Sequence, residues 1–221
     1  GKITNGNLNN FETTTLTFSE FRSKTGKGFL NGDFTVNNLN KYFLSAQIAS
    51  AWDLSELNHY FQDSPFLDLQ GEVGLLANYQ GNISFNRKFK DYFLESEHAF
   101  QASLKNITFK HINSPLEFDI ISSELNVNNN IINVNSSSLN VSQSSFDFSG
   151  EVKDFFRYLL KRSDQFYIQG DMIASTLLFS ELMLINSNSL KITQNTLPDW
   201  LDLDLNIDVS NFIYNDFNAS R

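Results

Sequence analysis

Two segments of this chain share one pattern. Leu67-Asp68-Leu69-Gln70-Gly71-Glu72-Val73 returns as Phe166-Tyr167-Ile168-Gln169-Gly170-Asp171-Met172. The copies lie roughly 100 residues apart, which indicates a long internal repeat rather than a short solenoid period. Within each copy apolar and polar residues alternate up to a Gly-acidic pair. Side chains of a strand point alternately to its two faces, so this pattern describes a strand with one apolar face. Leu67, Leu69, Val73 and Leu75 are expected on one face, and Asp68, Gln70 and Glu72 on the other.

The same period runs through most of the chain. Leu30, Gly32, Phe34 and Val36 alternate with polar residues, Asn37 to Asn40 supply a turn, and Tyr42, Leu44, Ala46 and Ile48 form the return strand of a hairpin. Phe100, Ala102 and Leu104 share one parity and Ile107 and Phe109 the other, which predicts a bulge or turn at Lys105-Asn106. Further strands are expected around Leu116 to Ile120, Leu125 to Val127, Ile132 to Val134, Leu139 to Val141 and Phe146 to Phe148. The 22 Phe suit half-buried pleated surfaces, and 3 Pro leave few strands interrupted.

Short stretches switch to helical spacing. Leu54, Leu57 and Phe61 follow Asp53, a candidate N-cap, with Glu56 placed for a capping box. Val152, Phe155, Phe156, Leu159 and Leu160 form a second such stretch ending at Lys161-Arg162, and Ser175 to Leu184 a third. The resulting organisation is a single β-rich region, 1–221, with repeats at approximately 29–104 and 125–199 and a third module beginning near 200. The expected fold class is mainly β: an antiparallel, strongly twisted and curved sheet forming a groove, with a few short helices. The leading Gly1 and the end at Arg221 suggest an excised piece of a longer chain.

The residues of the second repeat carry a family likeness. Phe146-Asp147-Phe148-Ser149-Gly150-Glu151-Val152-Lys153-Asp154-Phe155 leads into the Phe166–Met172 strand, and Leu201-Asp202-Leu203-Asp204-Leu205 is followed by Phe212-Ile213-Tyr214. From about Phe29 onward this resembles the AsmA-like family of Gram-negative envelope proteins, in which alternating strands, a Gly and a short Leu-rich helix recur. The resemblance implies a periplasmic fragment of a parent protein anchored in the inner membrane, with membrane contact through segments outside this chain. It implies a sheet groove that holds phospholipid or another acyl-chain ligand, contacts with envelope proteins, a part in outer-membrane biogenesis, and neither cofactor nor catalytic residue.

Physical chemistry supports the same expectation less specifically. A sheet with one apolar face must cover it by another sheet, by helices, by its own curvature or by a ligand. Each buried methylene contributes about 0.8 kcal/mol, so an acyl chain laid across several strands needs no specific polar contact. The candidate lining is Leu67, Leu69, Val73, Leu116, Phe118, Phe146, Phe148, Phe166, Ile168 and Met172. On periodicity alone the pattern more often describes the closed core of a sandwich or barrel, and it is the family resemblance that favours a lining for the central strands. Trp52, Leu54 and Phe155 are expected to plug the ends of the sheet.

Other chemistries find little support. A net charge of −9 argues against nucleic acid and anionic membrane surfaces as partners. The one basic-aromatic stretch, Phe85-Asn86-Arg87-Lys88-Phe89-Lys90, reads as a solvated turn. With no Cys, disulfides and thiolate chemistry are excluded. The longest apolar run, near Leu177 to Ile185, falls far short of the ~20 residues that span a bilayer. His59, His98 and His111 lack metal-ligand spacing and read as surface or half-buried residues. Asp202, Asp204 and Asp208 read as the solvated face of one strand rather than a calcium loop. Phosphate loops, nucleophile elbows and His-Glu helix motifs are missing. The alternative is an adhesive or carbohydrate-binding β-solenoid or sandwich, suggested by the Asn- and Ser-rich stretch from Asn126 to Ser149. A glycosidase-like β-helix is the remote third class.

Overall fold

The computed structural model describes residues 1–61, 65–84, 88–184 and 199–220. Its strands are β1 (Lys2–Thr4), β2 (Thr15–Thr25), β3 (Gly28–Asn37), β4 (Phe43–Asp53), β5 (Phe66–Asn82), β6 (Glu97–His111), β7 (Glu117–Asn128), β8 (Ile131–Val141), β9 (Ser144–Lys153), β10 (Phe166–Leu178), β11 (Leu201–Val209), β12 (Asn211–Tyr214) and β13 (Phe217–Ser220). A 3-10 helix (Leu54–Phe61) and three short helices, α1 (Phe89–Phe93), α2 (Phe155–Leu159) and α3 (Phe179–Leu184), connect them. All the strands belong to one large mixed sheet that does not close.

From β1 to β10 each strand pairs with its predecessor, antiparallel. Local turn chemistry explains this order. Thr25 pairs with Gly28, Asn128 with Ile131, Val141 with Ser144 and Tyr214 with Phe217, so each hairpin closes through a two-residue loop. The first loop residue, Gly26, Asn129, Ser142 or Asn215, takes a positive φ. Tight hairpins demand this of their first central residue, and Gly and Asn adopt it at least cost. The expected all-antiparallel sheet is corrected at its end, where β11 and β12 both run parallel to β10.

Register places one apolar face across nearly the whole sheet. A single cross-strand row runs through Leu203, Ile168, Val152, Ile132, Val127, Phe100, Ala77, Ile48, Gly32 and Phe21, from β11 back to β2. The predicted bulge at Lys105-Asn106 is present: Asn106 has φ 51° and lies opposite a register shift between Gln70 and Glu72. It moves the apolar parity of β6 from Phe100, Ala102 and Leu104 to Ile107 and Phe109.

β5 carries a second irregularity that the alternation hid. Asp68 takes φ 54°, and the register shifts between Leu67 and Gln70. Leu67 therefore pairs with Lys110 on the polar face and is 41% exposed, whereas Phe66 pairs with His111 and packs edge-on against Phe109 at 5.2 Å. The expectation that Leu67 shares a face with Leu69 and Val73 is thus corrected. The capping box at the first helix is corrected too. Asp53 Oδ1 accepts the Ser55 amide at 3.0 Å, but Glu56 Oε1 accepts the Lys27 amide at 3.0 Å instead of turning back to the helix start. The third helical stretch begins only at Phe179, because β10 continues through Leu178.

Candidate ligand-binding face

The apolar face is sealed over one half of the sheet and partly open over the other, where Ala46 and Ser50 of β4 are buried, Leu30, Phe34, Val36, Leu44, Ile48 and Leu75 are half-buried, and Phe18 and Phe21 of β2 are exposed. Over β6 to β11 the cover is shared: α2 lies on the cluster around Phe148, and Trp200, Val209 and Phe212 pack on the cluster around Phe146. Phe155 packs on Phe66 (5.9 Å between centroids) and Phe166 (5.5 Å), the first residues of β5 and β10. Phe156 meets Phe93 at 5.8 Å and Phe100 at 5.7 Å. Tyr158 packs against Phe166 at 5.0 Å and Trp200 at 6.1 Å. This short helix thus joins β5 and β6 on one side to β10 and β11 on the other.

Most predicted lining residues lie in that closed half. Leu116 and Phe146 are buried in one cluster with Val141, Ala174 and Leu177, against which Phe118 and Met172 pack. Phe148 is buried in a second cluster with Val127, Ile132 and Val134, joined by Ile168 and again Met172. Phe166 is buried beneath Phe155, Tyr158 and Trp200. Leu69 and Val73 are half-buried on the apolar face of β5, and Leu67 stands apart on the other face. Sequence reasoning did not single out the partly open half: Phe18, Phe21, Leu30, Phe34, Val36, Leu44 and Ile48 on β2 to β4, continued by Leu75 on β5. Phe18 and Phe21 remain 47% and 44% exposed on that face, against 0% for Ala174 in the closed half. Their alternation was visible in the sequence, but it carries no mark of what lands on a strand.

Two histidines flank α2, and both are buried, which corrects their reading as surface or half-buried residues. His111 Nδ1 accepts the Asn113 amide at 3.2 Å. Its proton therefore sits on Nε2, which donates to the Tyr158 hydroxyl at 2.8 Å. The ring stacks on Trp200 at 4.3 Å. His98 stacks on Phe93 at 4.2 Å, with Nε2 3.1 Å from the Asn129 carbonyl and Nδ1 3.3 Å from Ser96 Oγ. Burial holds both imidazoles below their ordinary pKa, and burial pushes the Tyr158 phenol up to about 12. His59 and the basic-aromatic residues 85–87 belong to parts whose side chains or backbone lie outside the described residues, as does 185–198, where the second repeat ends.

The lowered histidine pKa values have a definite sign. The unfolded chain takes up protons near pH 6.5 that the folded chain refuses, so stability is complete above that pH and declines as pH falls below it. The thermal midpoint is expected to drop on acidification from neutrality, and to drop less in the His98→Gln/His111→Gln variant. Scanning calorimetry across this range checks it; parallel slopes for the two proteins would refute the assignment.

A buried carboxylate holds the other end of the closed half. Glu181 of α3 accepts the Gln143 amide at 2.9 Å, the Ser144 amide at 3.0 Å and the Ser144 hydroxyl at 2.6 Å. Its acceptors are thereby satisfied by the β8–β9 turn, as a buried charge requires. Among the described residues no group of three or more His, Asp or Glu is arranged to hold a metal, and no helix is long and apolar enough to cross a membrane. No protein-family model, curated protein or solved structure matches this chain.

Proposed function

We propose that this chain holds acyl chains, most simply those of phospholipid, against the partly open apolar face of β2 to β5. The observation that carries the reading is an apolar face whose closure weakens toward β2, where Phe18 and Phe21 stand 47% and 44% exposed. Soluble chains leave such faces uncovered mainly where something binds. The closed half, packed by α2, supplies a rigid wall, and the partly open half supplies the surface on which methylenes lose water. Holding is passive: nothing in this reading breaks a bond, and no cofactor takes part. In this proposal the chain is a fragment of an AsmA-like bridge in the periplasm, whose parent is tethered to the inner membrane and contributes to outer-membrane biogenesis.

Adjacent residues on opposite faces provide the test. A photo-crosslinking side chain at Phe21 faces the apolar row, and one at Arg22 faces the polar side. After expression in a Gram-negative envelope, phospholipid adducts are expected at position 21 and not at 22. Mass spectrometry of organic extracts from the purified protein should show co-purified phospholipid. Equal adducts at both positions, or none with a lipid-free extract, would overturn the reading.

A further inference from the structure

The polar face of the same sheet carries a feature that the acyl-chain reading leaves unused. A shallow depression of about 740 Å³ spans β3 to β7 there. Two cross-strand rows form its floor. In one, Asn31 is followed by Ala49, Leu76, Gln101 and Asn126; in the other, Gln47 is followed by Asn78, Ala99 and Asn128. Neighbouring strands lie about 4.8 Å apart, and same-face residues of one strand about 6.8 Å apart. Each of β3 to β6 thus contributes one carboxamide to the floor and β7 two, on five neighbouring strands.

These amides have little to do within the fold. Among the described residues, the side chains of Asn31, Gln47, Asn78, Gln101 and Asn126 make no hydrogen bond or other polar contact with the chain. Each carries two donors and a carbonyl acceptor. Ala49 and Ala99 leave room between them, and Leu76, 58% exposed, offers an apolar patch in the middle. Asp33 supplies the one charge on the floor, and it is engaged by the Glu20 amide at 2.9 Å. A second depression, of about 580 Å³, is different: its wall holds Asp68, Lys110, Glu117 and Asp119, with Lys110 and Glu117 3.3 Å apart.

We propose that the amide-floored depression binds a neutral polyhydroxylated chain, an oligosaccharide laid across the strands. Carboxamides match hydroxyl groups because both donate and accept. Among the described residues no cation lies on the floor, so phosphate and sulfate groups find no counter-charge there. Leu76 and the alanines meet the C–H faces of sugar rings. Recognition of this kind, exposed and without desolvated charge, gives weak binding, with Kd of about 1 mM. The proposal stands independently of the acyl-chain reading, since the two ligands would occupy opposite faces.

The experiment is a nuclear magnetic resonance titration of the whole chain, following side-chain NH₂ signals. The probes are maltohexaose, cellohexaose and N-acetylchitohexaose, with dextran sulfate as the charged control. The signals of Gln47, Asn78 and Gln101 are expected to shift with at least one neutral probe and not with the control. Gln101→Ala, and separately Leu76→Lys at an already exposed position, should weaken that binding about tenfold while the amide spectrum of the fold persists. Unmoved side-chain signals with all three neutral probes, or shifts that both variants leave intact, would overturn the proposal. Either result leaves the lipid adducts at position 21 unaffected, so the two readings fail separately.

Discussion

Gly170→Val is expected to destabilise the protein by about 3 kcal/mol or more and to lower Tm by about 10 °C. Gly170 pairs directly with Gly150 across β9 and β10. A Cβ on residue 170 would fall on the Ser149 carbonyl oxygen and lie 2.8 Å from the Gly150 Cα. Both obstacles are backbone, so no side-chain rotation relieves them. The strands must separate at the point where Phe148 and Met172, the next apolar pair along the register, enter the core. Gly74→Ala is the control, because its added carbon meets only the Ser103 hydroxyl, at 2.7 Å, and that side chain can turn away. Urea unfolding of the two variants should separate them clearly. Equal, small losses would mean that the glycine of the repeated signature is not needed for close approach.

The second large effect is expected at Phe148. Its ring is buried with Val127, Ile132 and Val134. Truncation to alanine leaves a cavity in the closed half and should cost about 3–5 kcal/mol. The same change at Phe21, on the partly open half, should cost less than about 1 kcal/mol, because that ring is already 44% exposed. The contrast measures the division of the apolar face into core and open surface. Similar losses at the two positions would show that the division does not exist in solution. Phe21→Ala should instead reduce co-purified phospholipid, a quantity that a purely structural role would not alter.

The sequence was informative where structure is decided by neighbours in the chain. Alternation located the strands, and the parity change at Lys105-Asn106 located a bulge. The Gly-acidic signature marked a real constraint: at Gly71 the backbone has φ 104° and an added Cβ would lie 2.8 Å from Ile107 Cα. Leu67 was misplaced because an Asp with positive φ leaves the alternation pattern looking unbroken. What alternation could not reveal is cover. Phe34 and Phe148 sit in equivalent strand patterns, yet only Phe148 is sealed, because α2 packs across β6 and β10 and not across β3. Likewise His98 and His111 look like isolated polar residues in sequence. Their burial depends on Phe93, Tyr158 and Trp200, which arrive from distant elements. The parallel pairing of β11 is equally non-local, since no turn signal joins it to β10.

The match between chain order and sheet order has a kinetic counterpart. From β1 to β10 each strand pairs only with its neighbours in sequence, so the sheet can grow strand by strand, through turns of two to five residues at five joints and connections of 10 to 14 residues at the other four. β11 breaks that sequence. Its parallel docking requires a long crossover, and it carries Trp200 onto His111. The docking of β11, which brings Trp200 against Tyr158 of α2, is therefore expected to follow the pairing of β1 to β10, while the residues it covers are still accessible.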